Sequence, residues 1–456
     1  MRTFAIEPNH PLVQSWATLH DDIQAVLEQQ SLSYPWRAIE VFRRRRTLRP
    51  SPEGIDDTTV LVTIEKGADD DHRAILARSI KAICGTHGQP TLQVEVLEGL
   101  ITRLASPMHP HTKSATPGSS IGVAGLDWSS GTLGGYVTLR SSSTEERVLC
   151  ALTCHHVLRP TRIIKPAASS PPPSPPYDSK LDVVGCYHPA IEKPDPSLKV
   201  QQPSTADHHT ACEALTSQLA ETDAKIVRHE ENLEMGMESA AGQRGLEVAR
   251  ERRETYQRLR AEIDSFDRNL GHVWATSGYR TAAAGCAIDW GLVRVDKRRE
   301  GYNEVKSTPH IVPSFTGKLK KTDMLKCFQL PTFQSSRIAL NVVGKIVDTT
   351  AKMSLGDTVI LFGKVSGMTL GTFSAIKSSV SWSEHKGLTT ECVVAGVDGH
   401  AFADFGDSGG FVVDKSGALV GLLIAGSEGK GTGYVTPIQA IWDDIRTQTG
   451  REIELD

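Results

Sequence analysis

Three groups far apart in the chain have the types needed to activate a hydroxyl. Ser408 lies in Gly406-Asp407-Ser408-Gly409-Gly410, His155 and His156 close an apolar run that starts at Val148, and Asp289 interrupts a second apolar run from Ala287 to Val293. A serine hydroxyl is a poor nucleophile at neutral pH. It needs a base for its proton and donors for the oxyanion it creates. Glycines on both sides of the serine let the backbone turn sharply and aim amide N–H groups into one small space. Neighbouring residues on a strand alternate faces, so only one of His155 and His156 can look into a cleft. An aspartate inside an apolar strand is costly to bury unless its oxygens accept hydrogen bonds. Accepting from a histidine Nδ1–H is one such use, because it fixes the tautomer and steadies the imidazolium.

The rest of the chain must position these groups. Its 456 residues suggest two or three domains. A hydrophobic fraction of 39% and a charged fraction of 23% fit a globular protein. A formal net charge of −4 gives no global pull toward nucleic acid or anionic membrane. The residues after Met1 lack the apolar core of a secretory signal, and no run is long enough to span a bilayer, so an intracellular location is expected. The eight cysteines are scattered, which reads as free thiols. Cys154 and His155 fall short of a zinc ligand set, so no metal or other cofactor is expected.

Along the chain, apolar spacing predicts a helix over about 10–31, from Leu12 through Trp16, Leu19 and Ile23 to Leu27. A short strand follows, then the basic cluster Arg43 to Arg46, which reads as a solvated strand end or an anion-binding patch. Residues 58–98 read strand, helix, strand. Residues 1–103 thus form a helix plus a small α/β (α+β) module, and the Pro- and Ser-rich stretch 104–119 reads as a linker. Many short strands with Gly-rich turns follow, which indicates a mainly β barrel or sandwich over 120–451. Two inserts break it. Residues 165–178 are Pro-rich and read as a stiff exposed loop. Residues 204–270 are helical, with seams from Leu215 to Leu233 and from Tyr256 to Leu270, and should fold back as an antiparallel helical hairpin. That hairpin reads equally as a protein-partner or dimer surface and as a solvated spur.

In the order His156, Asp289, Ser408, these motifs resemble the chymotrypsin (trypsin-like) serine protease family. The resemblance covers about residues 118–451 without the two inserts. It favours His156 over His155, since the family base, in the HtrA type among others, often precedes a valine such as Val157. It implies a double six-stranded antiparallel β-barrel with the site between, the first barrel bearing His156 and Asp289 and the second Ser408. The separation of 133 positions between His156 and Asp289 exceeds the family's usual spacing, and the inserts account for it. The family places the oxyanion hole at the amides of Gly406 and Ser408. It places the base of the primary pocket at Phe402, with Ile424, Ala425 and Gly426 alongside the substrate backbone. No acid stands there, which implies small or aliphatic preference. Gly291 departs mildly from the family's usual alanine. In secreted members the aspartate before the nucleophile, here Asp407, pairs with a freshly cut isoleucine amine. No basic residue precedes Ile121, so no such activation is expected.

The expected function is therefore a serine endopeptidase acting on polypeptides through an acyl-enzyme, with the N-terminal module or the helical hairpin taking a protein partner. The alternatives are a catalytically silent pseudoprotease scaffold and a different acyl hydrolase, such as an esterase.

Overall fold

The computed structural model describes residues 2–30, 36–45, 57–64, 70–98, 101–102, 111–141, 146–159, 198–236, 240–304, 347–382, 387–427 and 431–456. The Pro-rich stretch 165–178 and the first half of the expected linker lie outside them. The N-terminal part runs β1 (Arg2–Phe4), α1 (Leu12–Gln30), β2 (Trp36–Arg45), β3 (Asp57–Ile64), α2 (Asp70–Thr86), β4 (Gln93–Glu98) and β5 (Ile101–Thr102). β3 and β4 are parallel with α2 crossing between them, and β2 pairs antiparallel with β3. α1 buries Leu12, Leu19 and Ile23, the stripe its periodicity predicts, against Ile39, Val60 and Val62.

The next block contains β6 (Ser120–Val123), β7 (Gly131–Thr132), β8 (Gly135–Ser141), β9 (Arg147–Thr153), α3 (His155–Leu158), β10 (Lys199–Gln201), α4 (Thr205–Glu234), α5 (Ala240–Ser265), β11 (Asn269–Thr276), β12 (Arg280–Thr281), β13 (Ala287–Ile288) and β14 (Gly291–Val295). The sheet order β8-β9-β14-β11-β10-β6-β7 is open among the described residues, a half-barrel where a closed barrel was expected. α4 and α5 contact each other through Ile226, Leu246 and Ala249, with Arg250 on Glu230 and Arg253 on Asp223 at 2.7 and 3.0 Å. That seam is short, so most of both helices faces solvent.

The last block runs β15 (Val347–Thr350), β16 (Thr358–Gly363), β17 (Gly367–Phe373), β18 (Ser378–Ser381), β19 (Leu388–Gly396), β20 (Phe411–Asp414), β21 (Ala418–Ser427), β22 (Thr432–Pro437), α6 (Ile438–Thr449) and β23 (Arg451–Leu455). Here the sheet closes. β16 pairs with β17, β17 with β19, β19 with β22, β22 with β21, β21 with β20, and β20 again with β16, all antiparallel. Closure removes the free edges of six strands at once. α6 ends at Gly450, whose left-handed φ of 64° lets its N–H reach Arg446 O. β23 then crosses to pair with β8, so the chain's last strand ties the closed barrel to the open sheet.

The N-terminal strands do not stand apart. β18 pairs with β2, making one continuous 13-stranded sheet. Ala375 N–H donates to Ile6 O, and the buried Tyr434 hydroxyl donates to Glu40 at 2.8 Å. The second half of the expected linker is also packed: Ala115 is fully buried, its carbonyl accepts from Tyr136, and Arg299 donates to the carbonyls of Thr112 and Lys113. No helix among the described residues is long and apolar enough to cross a membrane.

Candidate active site

β9 carries the chain from the apolar interior of the open sheet to Thr153, and Cys154 begins the single turn α3. His155 and His156 therefore leave the sheet as helical neighbours, about 100° apart around an axis, rather than as alternating strand residues. The result is a clean division of labour. His155 packs its ring edge-to-face on Tyr279, with centroids 4.7 Å apart. His156 turns toward Asp289, between β13 and β14. Its Nδ1 lies 2.7 Å from Asp289 Oδ2, and its backbone N–H donates to Oδ1 at 3.1 Å. Asp289 is fully buried, and each of its oxygens faces a nitrogen of His156. An ionised carboxylate only accepts, so the hydrogen of this bond sits on Nδ1. Trp290, the next residue, anchors the strand by donating its indole N–H to Asp444 of α6 at 2.7 Å.

Cys154 Sγ, His156 and Asp289 lie within 4.8 Å of one another, a spacing that a metal could use. The His156–Asp289 bond already accounts for two of the three, and the Cys154 thiol donates to Leu423 O.

Ser408 lies on a turn of the closed barrel, between Ala403 and β20. Gly409 N–H donates to Leu423 O and Gly410 N–H to Asp407 O. Gly406 and Gly409 adopt φ of 108° and 93°, which L side chains rarely do. A Cβ on Gly409 would also stand 2.2 Å from Thr153 Oγ1. The turn thus presses directly on the end of β9, three residues before His156. Thr132 N–H donates to Ser408 O at 2.8 Å from the other side. The Ser408 hydroxyl itself donates to Ile424 O at 3.2 Å.

Asp407 is buried, and its carboxylate accepts from the amides of Val365, Ser366 and Asp404 at 2.9, 3.1 and 2.9 Å. Burial pushes its pKa up, and these hydrogen bonds oppose the rise. The turn between β16 and β17 thus holds the Asp407 carboxylate. Ile121 lies inside β6, fully buried and paired with Gly131.

Sequence reading missed what fastens that turn. Lys364 is buried, and its ammonium donates to Asp207 Oδ2 at 2.8 Å and to Ser130 Oγ. Its backbone N–H donates to Thr132 Oγ1, which in turn donates to Gly406 O. Asp207 sits in the first turn of α4, where Ser204 caps the helix by accepting from Asp207 N–H. The Ser-x-x-Asp pattern at 204–207 was the available signal, a capping motif in its own right.

Of the expected pocket residues, Ile424 and Ala425 are fully buried on β21 and Gly426 pairs with Gly433 of β22. Phe402 is fully buried in the core of the closed barrel. Its ring lies against Gly371 and Gly433, where an added Cβ would come within 2.6 and 3.0 Å of it.

No family model and no curated protein matches the chain. Among solved structures it is similar to a glutamic acid specific serine protease that uses a histidine triad in substrate binding, at 10% identity over 75% of this chain and 100% of that one, TM-score 0.33. It is also similar to Thermobifida fusca Protease A, at 12% identity over 75% and 100%, TM-score 0.32. Nocardiopsis protease NAPase gives 11% identity over 75% and 99%, TM-score 0.32. These neighbours are trypsin-like serine proteases, and likeness at this level carries no argument about what the chain does.

Proposed function

We propose that the chain is a serine endopeptidase of trypsin-like fold, with Ser408 as nucleophile, His156 as base and Asp289 orienting the base. One observation carries the reading: a fully buried carboxylate accepts from the backbone N–H of His156 and lies 2.7 Å from its ring Nδ1, at the lip of the sheet that presses on the Ser408 turn. A purely structural aspartate has no need to fix one tautomer of one histidine.

In the proposed cycle the Ser408 hydroxyl leaves Ile424 O, turns to His156 Nε2 and attacks the substrate carbonyl as its proton passes to the imidazole. The amides of Gly406 and Ser408 receive the oxyanion; one such donor is worth about 3–4 kcal/mol. His156 then gives the proton to the leaving amine, and water repeats the sequence to free the acyl group. The buried Phe402 ring and the absence of an acid beside it favour small or aliphatic side chains at the cleaved bond. An intracellular setting, and partner binding by the N-terminal part or by α4 and α5, belong to the same reading.

A fluorophosphonate probe tests it. Wild type is expected to be labelled and Ser408→Ala is not. An unlabelled wild type, folded by circular dichroism, gives the scaffold reading. Labelling with turnover of simple esters but of no peptide gives the esterase reading.

A further inference from the structure

β21 has two edges, and they are occupied differently along its length. β22 follows one edge as far as Gly426. On the other, β20 pairs from Leu419 to Leu422, Gly409 and Gly410 bond Leu423, and the two segments then part. Beyond that point lie Ile424, whose carbonyl accepts the Ser408 hydroxyl, then Ala425, Gly426 and Ser427. The far end of this stretch is taken by the chain itself: β5 pairs antiparallel, with Thr102 opposite Gly426 and Ile101 opposite Ser427.

The direction of β5 matters. β21 runs away from Ser408 between Ile424 and Ser427, so an antiparallel partner runs toward it. On the protease reading, an extended peptide adds to this edge with that polarity and brings its carbonyl to the Ser408 hydroxyl, which already bonds Ile424 O. β5 has that polarity. Nor is β5 a stray end. The N-terminal part that delivers it is fixed to the closed barrel by the β2–β18 pairing and by Glu40, which holds Tyr434 directly across from Ala425. A tethered strand meets its edge at a high effective concentration, so weak pairing suffices.

We infer that β5 is an occupant in cis of the peptide-accepting edge of β21, so that the chain competes with its own substrate for Gly426 and Ser427. This rests on the protease reading above. It makes the N-terminal part a determinant of KM for long peptides. Short substrates that stop before Gly426 do not meet β5 and are indifferent to it.

The test uses the full chain with Ile101→Pro and Thr102→Pro together. In antiparallel pairing, one of two successive residues directs its N–H at the partner strand, and proline has none to give. Neither residue belongs to the proposed catalytic machinery. Expected is a three- to tenfold fall in KM for a long peptide substrate, the scale of one or two backbone hydrogen bonds. The kcat should hold, the rate on a single-residue ester should not change, and amide exchange should quicken at whichever of Gly426 and Ser427 directs its N–H at β5. Unchanged KM in a chain that fluorophosphonate labels overturns the inference and leaves the protease reading standing. An equal change with ester and peptide also overturns it, since that marks a general disturbance of the site. A wild type that the probe does not label removes both.

Discussion

Asp289 and Asp207 are both fully buried aspartates beside a basic partner, and they are used in opposite ways. Asp289 sets one oxygen against the ring of His156 and the other against its backbone N–H, and in the proposed cycle the other ring nitrogen carries the proton. Asp207 gathers several groups on one oxygen: Lys364, Ser120 and Ser130. Burial pushes the Lys364 pKa down, and the charges of Asp207 and Asp407 oppose that. The first pair, on the proposed function, sets the state of the base. The second is a knot, joining the start of α4, the β6–β7 region and the turn that grips Asp407. The same chemistry, a carboxylate in a dry place, serves reactivity where the partner can exchange its proton and serves rigidity where it cannot.

Substitution separates the two roles, and the larger effect belongs to the first. Asp289→Asn keeps the shape but allows the amide to donate, which favours the wrong tautomer of His156. The expected fall in kcat is about 10⁴-fold, as for the corresponding change in other triads. Steady-state kinetics on a peptide substrate, with thermal unfolding as control, checks it. A fall in kcat that is matched by lost folded protein would sink the assignment.

Lys364→Met is the converse. It leaves Asp207 buried without its cation, at an expected cost of about 3–5 kcal/mol of stability, read by urea denaturation. Adding Asp207→Leu removes the stranded charge, and most of that loss should return. If the single variant is as stable as wild type, Lys364 and Asp207 are not a knot, and the contrast with Asp289 fails.

The turn at Ser408 and the burial of Asp289 were legible in the chain, and the Lys364–Asp207 pair was not. Gly-Asp-Ser-Gly-Gly announces a turn because positive φ at Gly406 and Gly409 is a local property of the backbone. An aspartate within an apolar strand announces a buried acceptor for the same local reason. Short apolar runs between Gly-rich turns marked β8, β9, β14 and β16 to β22. Lys364 announces nothing, since its partner is 157 positions away on a helix whose capping motif looks self-sufficient. β5 is equally silent, because two residues carry no period. The expected linker also concealed packing. Its Pro- and Ser-rich composition predicts a linker, but Arg299 collects the carbonyls of Thr112 and Lys113 and holds that part down.

The weakest test concerns the residue after the knot. His208 follows Asp207, and His111 Nε2 lies 2.9 Å from His208 Nδ1. One of the two must be unprotonated for that bond. Burial pushes the His111 pKa down to about 4, helped by the charges of His208 and Arg268. Burial lowers that of His208 too, helped by Arg268, His209 and Arg260, while Asp264 opposes it. An unfolded histidine titrates near 6.5, so below that pH the unfolded chain binds more protons than the folded one. The stability these histidines contribute is therefore complete above pH 6.5 and declines as pH falls toward 4. His111→Phe, placed beside Phe266, should flatten that slope when urea midpoints are compared across the window. It should leave kcat at neutral pH unchanged, because nothing in this contact touches His156. A slope that persists in the variant assigns the acid sensitivity to other groups and leaves the start of α4 pinned by Asp207 and Lys364 alone.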